Sequence, residues 1–274
     1  MAHAHTLDCR PVRLGAPQWL ALHALALWPH GVYIVQRVGD GSDEPLGLVA
    51  LLAAMALVAS QRARMRLTPH LGWLLAAAAL ALLANGAWWA GVPSLASALL
   101  AALSLACAAL AWWPREQART PLIGLVVLSL PWLATLQFYL GWPLRALTAQ
   151  LSAWALQALG YVAERSGASM VVDGQLVIVD APCSGVQMAW FAYFTACAGA
   201  AAADLADRRF AQRAALVGAV VLLGNVLRNS VLVALESRTA GLAPLWHEVI
   251  GLIVLAVVCG AVWLLMLHGS RRNA

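Results

Sequence analysis

Three polar side chains stand out in a strongly apolar chain because together they could carry out acyl transfer. Cys183 lies in a Pro-Cys-Ser-Gly turn, Arg228 lies within an apolar stretch, and His247 opens the next one. A histidine can deprotonate a thiol and later protonate the leaving amine. An arginine can stabilise the oxyanion of a tetrahedral intermediate, and its charge favours the thiolate. These residue types are therefore sufficient for acyl transfer by the chemistry of a cysteine protease.

Each of these residues also has a simpler explanation when it is taken alone. Cys183 could be a small turn residue, and a lone histidine near a membrane surface usually has no catalytic role. Arg228 is more informative, because an arginine inside a membrane span costs roughly 2.5–3.5 kcal/mol and usually marks a function. Asn225 lies three residues earlier, so the two side chains are neighbours on a helix. They predict a protein interior or a wet cavity, with a polar lock between helices as the alternative.

The composition of the chain requires a membrane. Of its 274 residues, 62% are hydrophobic and 11% are charged, whereas soluble domains have about 45–50% and about 25%. This excludes a soluble globular domain, a disordered chain and a disulfide-stapled secreted module. All 17 basic residues are arginine and the net charge is +5. No arginine cluster is interleaved with aromatic residues on a polar segment, so we expect no nucleic-acid partner.

The sequence carries no motif for a cofactor or a metal, so we predict that the protein uses neither. The five cysteines show no CxxC spacing, so neither a zinc knuckle nor a disulfide framework is indicated. The position four residues after His247 is Gly251, which excludes the zinc-protease motif. The chain contains no nucleotide-binding signature.

Eight apolar stretches approach the length of about 20 residues that a helix needs to cross a membrane. We therefore predict an all-α polytopic membrane protein with about eight transmembrane helices. The first stretch contains His23, Pro29 and His30, which indicate a kink or a partly interfacial position. The predicted spans are residues 17–35, 46–60, 70–90, 95–113, 122–142, 186–203, 214–236 and 249–268.

The distribution of arginine predicts the orientation of these spans. Twelve arginines lie in the two terminal segments and in the second, fourth and sixth loops, and four lie in the loops on the opposite side. Because an excess of arginine marks cytoplasmic segments, both termini are predicted to be cytoplasmic. Cys183, Arg228 and His247 then all fall on the outer side of the membrane midplane.

The chain changes character after the fifth predicted span. Residues 144–167 carry apolar side chains at spacings of three and four and predict an amphipathic helix along the outer surface. Residues 170–180 form two β-type runs around Asp173-Gly174, a sequence typical of a hairpin turn. The predicted division of the chain is into residues 1–120, with four spans and no motif, and residues 121–274, with four spans and the three candidate residues.

Three motifs in this second region resemble the exosortase/archaeosortase family of polytopic cysteine transpeptidases. They are Cys-Ser-Gly from position 183, Asn-x-x-Arg from position 225 and His-Glu-x-Ile-Gly from position 247. The resemblance implies an enzyme of the bacterial inner membrane, with its site facing the periplasm. Such an enzyme cleaves C-terminal sorting signals of secreted proteins and transfers the new carboxyl end to an envelope or membrane-lipid anchor. Many bacterial members act on substrates that end in Pro-Glu-Pro, one span and an arginine-rich tail.

The same resemblance implies the role of each residue. Cys183 is the nucleophile that forms a thioester acyl-enzyme, Arg228 is the transition-state and substrate-binding cation, and His247 is the general base and acid. The supporting residues are Asn225, Ser184 and Gly185. The expected partners are secreted proteins with a sorting signal and a membrane lipid.

Three rival functions remain open from the sequence. A transporter or channel would use Arg228 and Asn225 to line an anion path, although the first five spans are rich in Leu and Ala with few polar faces. A non-catalytic subunit of an envelope polysaccharide system would have only a structural Cys183. A membrane acyltransferase would share the chemistry but would normally rely on His and Asp rather than on a thiol.

Overall fold

The computed structural model describes residues 15–41, 43–178, 184–236 and 244–268, and these ranges are mostly helical. Both predicted cytoplasmic termini lie outside the described residues. The helices are α1 (Ala16–Ala26), α2 (Trp28–Gly39), α3 (Leu46–Ser60), α4 (Leu71–Trp89), α5 (Ser94–Leu110), α6 (Thr120–Leu128), α7 (Leu133–Ala158), α8 (Val186–Ala202), α9 (Asp207–Glu236) and α10 (Pro244–Leu267), with one 3₁₀ turn at Arg62–Arg64.

Within these ranges, three helices are long and apolar enough to cross a membrane, namely α4, α9 and α10. The bent pair α6 and α7 adds a fourth if the two helices form one span. Helices α3 and α5 are apolar but have only 15 and 17 residues. The chain is thus a membrane protein with three or four supported spans, and the count of eight stays a prediction.

The first predicted stretch is divided into two helices, α1 and α2. The break is at Leu27, and Pro29 lies in the first turn of α2. Proline has no N–H to donate, so it is tolerated at the start of a helix but not within one. His30 on α2 is buried and packs edge-on against the ring of Trp88, with 5.4 Å between ring centroids.

The span predicted over residues 122–142 is not one continuous helix. Helix α6 ends at Leu128, and α7 starts at Leu133 after a bend of 90°. Pro131 lies in the break and disfavours a helical conformation in the residue before it. Two carbonyl groups in the last turns of α6 accept hydrogen bonds from the indole N–H groups of Trp132 and Trp190, at 2.7 and 3.2 Å. These bonds provide partners for carbonyl oxygens that lose their helical N–H donors where α6 ends.

The amphipathic helix predicted over residues 144–167 is also corrected. It is the second half of α7 and ends at Ala158. Gly160 adopts a φ of +91°. The N–H groups of Gly160 and Tyr161 bond back to Gln157 and Leu156, a pattern that terminates helices at a left-handed glycine. The following residues form a strand that the sequence analysis missed.

A small antiparallel sheet follows α7 in the order β1 (Ala163–Ser166), β2 (Ser169–Val172) and β3 (Gln175–Ile178). The predicted hairpin is confirmed as β2 and β3, with φ values of +50° at Asp173 and +81° at Gly174. Two left-handed central residues are what a tight hairpin turn requires. On the buried face of the sheet, Met170 and Val172 belong to one apolar cluster with residues of α7 and with Val233 of α9.

Helices α8, α9 and α10 pack against one another and carry the candidate site. Glycines permit close approach in this bundle: Gly224 of α9 lies against Val258 of α10, and Gly124 of α6 lies against the thiol of Cys197 on α8. Among the described residues, Cys107, Cys197 and Cys259 are free thiols within helices, and Cys197 fills a packed interface.

Candidate active site

The described part of the Cys-Ser-Gly motif forms the start of α8. Ser184 is buried, and its hydroxyl donates to Oε1 of Gln137 on α7 at 2.8 Å. The hydroxyl oxygen of Ser184 also accepts the main-chain N–H of Val186, the first residue of α8, at 3.4 Å. Gly185 precedes the helix with a φ of +82°. This left-handed conformation is unfavourable for any residue with a Cβ atom.

Gly185 is in direct contact with Asn225 of α9. A Cβ atom at Gly185 would lie 3.1 Å from both Cγ and Nδ2 of Asn225. Asn225 is only 2% exposed, and its Nδ2 donates to Oγ1 of Thr148 on α7 at 3.0 Å. The start of α8 and the middle of α9 are therefore joined to α7 by buried polar contacts.

Helix α7 positions the site from behind through two polar side chains that the sequence analysis did not identify. Gln137 and Thr148 are separated by three helical turns, so both lie on the face that meets α8 and α9. Ser152, one turn further, donates to a main-chain oxygen of α9 at 3.3 Å. The only sequence signal for Gln137 was a polar residue in an apolar stretch, and no signal distinguished Thr148.

Arg228 lies one turn beyond Asn225 on α9 and faces α10. A Cβ atom at Gly251 would be 3.2 Å from both Nε and Nη2 of Arg228, so the guanidinium rests on this glycine. Arg228 lines a pocket of about 340 Å³ together with Glu248 and Gln187. The expected polar surroundings of this arginine are thus present. Glu248 belongs to the third motif, but the sequence did not predict that it lies in the same pocket as Arg228.

His247 lies in the first turn of α10 and is half-buried. It precedes Gly251 by four residues, so it lies about one turn away on the same side of the helix. The structure therefore brings the segments that carry Ser184, Asn225, Arg228 and His247 close together.

Cys183 lies outside the described residues, as do Asp180 and Cys9. The chain is described again from Ser184, the next residue in sequence. The role of Cys183 stays a prediction. Among the described residues, no group of three or more His, Cys, Asp or Glu side chains could hold a metal ion.

An apolar cavity of about 500 Å³ reaches the start of α8 between α6, α7, α8 and α9. This volume falls within the range of about 300–1,000 Å³ that is typical of ligand sites. Most of its wall is formed by leucine, valine and tryptophan side chains. Its few polar lining residues are close to the motif segments and include Ser184, Thr148 and Asn225.

A second cavity, of about 530 Å³, reaches Ser184 from the side of the loop between α2 and α3, which contains Asp43 and Glu44. Asp43 is buried, and its carboxylate accepts main-chain N–H groups of Glu44 at 2.9 Å and of Ala134, in the first turn of α7, at 3.4 Å. Glu44 accepts a hydrogen bond from Gln187 of α8 at 2.9 Å. This loop therefore lies at the same end of the bundle as the motif segments.

Comparison with known proteins identifies the family. A family model described as transmembrane exosortase matches residues 38–264, which is most of the chain and includes all three motifs. No curated protein and no solved structure matches the chain. The match crosses both regions into which the sequence was divided. The chain belongs to the transmembrane exosortase family, which implies a transpeptidase role in the membrane.

Proposed function

We propose that this transmembrane exosortase is a cysteine transpeptidase whose reacting groups are Cys183, Arg228 and His247. The observation that carries the proposal is a pair of close contacts. Gly185 meets Asn225, and Arg228 meets Gly251. These contacts bring the three motif segments, which are far apart in sequence, to one end of the helix bundle.

The reaction follows from the chemistry of these groups. The thiol of Cys183 transfers its proton to His247, and the sulfur attacks a peptide carbonyl of the substrate. Arg228 stabilises the oxyanion of the tetrahedral intermediate. The intermediate collapses to a thioester, and the C–N bond breaks as His247 protonates the leaving amine. An acceptor nucleophile then attacks the thioester, which forms the new bond and restores the thiol.

The apolar cavity at Ser184 and the pocket beside Arg228 support a membrane-embedded peptide as substrate. The apolar cavity of about 500 Å³ suits the apolar segment of a C-terminal sorting signal. The pocket beside Arg228 offers a guanidinium for a carboxylate next to the scissile bond. Glu248 and Gln187 in the same pocket can orient that guanidinium.

We further propose that the site faces the periplasm of a bacterial inner membrane, with both termini in the cytoplasm. The supporting observation is the arginine asymmetry of the loops, twelve against four. A secreted protein that bears a sorting signal is then cleaved after export. Its new carboxyl end is joined to an envelope anchor such as a membrane lipid.

Replacement of the nucleophile tests this proposal. Cys183→Ala should abolish C-terminal processing of a co-expressed secreted protein that ends in a sorting signal, with unchanged amounts of enzyme in the membrane. The matched control is Cys259→Ala, which removes a half-buried thiol of α10 and should leave processing intact. A transporter or a scaffold subunit would retain its function without Cys183, so normal processing by Cys183→Ala would overturn the proposal.

A further inference from the structure

Another polar pocket, separate from the cavities described above, lies at the end of the bundle opposite the candidate active site. Its volume is about 280 Å³, and it is formed where the loop before α4 meets the end of α5 and the start of α6. The main-chain N–H of Arg119 bonds Asp207, the first residue of α9, at 2.8 Å, whereas Arg228 lies towards the other end of that helix. The polar and aromatic lining residues are Arg66, His70, Trp73, Trp113, Arg115 and Arg119.

Hydrogen bonds fix the shape of this pocket. The main-chain N–H groups of Arg66 and His70 donate to carbonyl oxygens just after α5, at 2.9 and 2.8 Å. The indole N–H of Trp113 donates to a main-chain oxygen at 3.1 Å. The guanidinium of Arg119 lies 5.8 Å from the centre of the Trp73 ring, within the range of a cation–π contact. The cationic side chains are thus carried by an ordered frame.

The charge of the pocket is strongly one-sided. Three guanidinium groups and an imidazole line it, and none of its described lining residues is acidic. The carboxylate of Asp207 is engaged nearby by the main chain of Arg119 and by the N–H and hydroxyl of Thr120, at 2.7–2.9 Å. Three arginines that line one pocket favour a phosphate-type anion, which guanidinium groups can bind through paired N–H donors.

The surroundings of the pocket point to a lipid as the source of that anion. Tryptophan is enriched where membrane proteins meet the water interface, and Trp73 lies in the first turn of α4, a candidate span. Leu67, adjacent to Arg66, is fully exposed, and Leu71 at the start of α4 is also exposed. A phospholipid carries its phosphate next to its acyl chains. A cationic pocket beside exposed apolar side chains can therefore contact both parts of such a lipid.

We propose that this pocket binds the phosphate of an anionic phospholipid headgroup at the membrane surface. The site is independent of the proposed transpeptidase chemistry, since it lies at the other end of α9. It provides a role for the N-terminal helices, in which the sequence shows no motif. Under the predicted orientation, the lipid belongs to the cytoplasmic leaflet.

The test measures binding of a fluorescent short-chain phosphatidylglycerol to the purified full-length chain in neutral detergent. Loss of one arginine should weaken binding roughly fivefold, and the double variant R66Q/R115Q roughly 25-fold, because each arginine near an anionic lipid contributes a similar factor. The matched control is R62Q/R64Q, which removes two exposed arginines of the same loop that do not line the pocket. It should bind like the wild type.

Competition distinguishes the possible sources of the anion. Unlabelled phosphatidylglycerol should displace the probe, while phosphatidylcholine and inorganic phosphate at the same concentration should not. The proposal is overturned if R62Q/R64Q weakens binding as much as R66Q/R115Q, because binding would then be a general surface effect. Displacement by inorganic phosphate alone would also overturn it, in favour of a free-phosphate site. If the double variant does not fold, R115Q alone, at an exposed position, must still show the fivefold loss.

Discussion

The contact between Gly185 and Asn225 gives the sharpest prediction about how the site is held together. In Gly185→Ala, the alanine must adopt a left-handed backbone conformation. Its methyl group would also lie 3.1 Å from the side-chain amide of Asn225. Asn225 is buried and bonds Thr148, so a movement away from the new methyl group strains this hydrogen bond. The substitution should therefore displace the start of α8 relative to α9.

The size of the effect follows from two contributions. Alanine in the left-handed region costs roughly 1–2 kcal/mol. Loss of the hydrogen bond between Asn225 and Thr148 adds about 0.5–1.5 kcal/mol. We expect the free energy of unfolding of Gly185→Ala to fall by about 1.5–3.5 kcal/mol in total. A Cβ contact of 3.1 Å requires its neighbour to move by a few tenths of an ångström. Because a shift of about 1 Å in a reacting group can lower the rate about 100-fold, we expect a loss of processing that is smaller than about 100-fold.

The control is Gly174→Ala in the hairpin turn. Gly174 has nearly the same φ, +81° against +82°, but a Cβ atom there would have nothing within 4 Å. Its cost should therefore be the backbone contribution alone, with processing near the wild-type rate. Unfolding in mixed micelles and the processing rate should be measured for both variants. The reasoning is refuted if Gly185→Ala costs no more than Gly174→Ala and processes substrate at the wild-type rate.

Three further predictions concern α10, the charged groups and the orientation. Gly251→Ala should lower processing by displacing the Arg228 guanidinium, which would lie 3.2 Å from the new Cβ; Gly260→Ala on the same helix meets nothing within 4 Å and should instead stabilise the helix by about 0.5–1 kcal/mol with normal processing. The processing rate of Arg228→Lys should be about 100–1,000-fold below that of the wild type at every pH, because lysine lacks the planar guanidinium with its paired N–H donors. The processing rate of His247→Ala should be low but should rise with pH, as more of the thiol becomes thiolate without a base. A wild-type rate in either variant would argue against the role of the replaced residue. A reporter fused after Ala274 should be active only in the cytoplasm, and periplasmic activity would reverse the predicted topology.

Local features of the fold were predictable because their causes are local. The hairpin follows from Asp173-Gly174, which readily adopts the left-handed turn conformation, and the break after α1 follows from Pro29. The polar interior at Asn225 and Arg228 follows from the cost of leaving such groups in lipid. In each case, a few adjacent residues carry the whole physical reason.

The features that escaped prediction depend on partners distant in sequence. Pro131 indicates a kink, but the 90° bend also needs the indole N–H of Trp190, on α8, to bond a carbonyl of α6. Gln137 and Thr148 become site residues only because α7 packs against the start of α8 and the middle of α9. The contact of Arg228 with Gly251 depends on the register of α9 against α10, which the sequence pattern of either helix leaves open.

Detection of the acyl-enzyme tests the central claim most directly. The purified enzyme is mixed with a protein that ends in a sorting signal, the reaction is quenched in acid, and the mass of the intact enzyme is measured. We predict an adduct of the cleaved substrate that maps to Cys183, is released by hydroxylamine as a thioester, and is absent from Cys183→Ala. An adduct on another residue, or substrate cleavage by Cys183→Ala at the wild-type rate, would contradict the account.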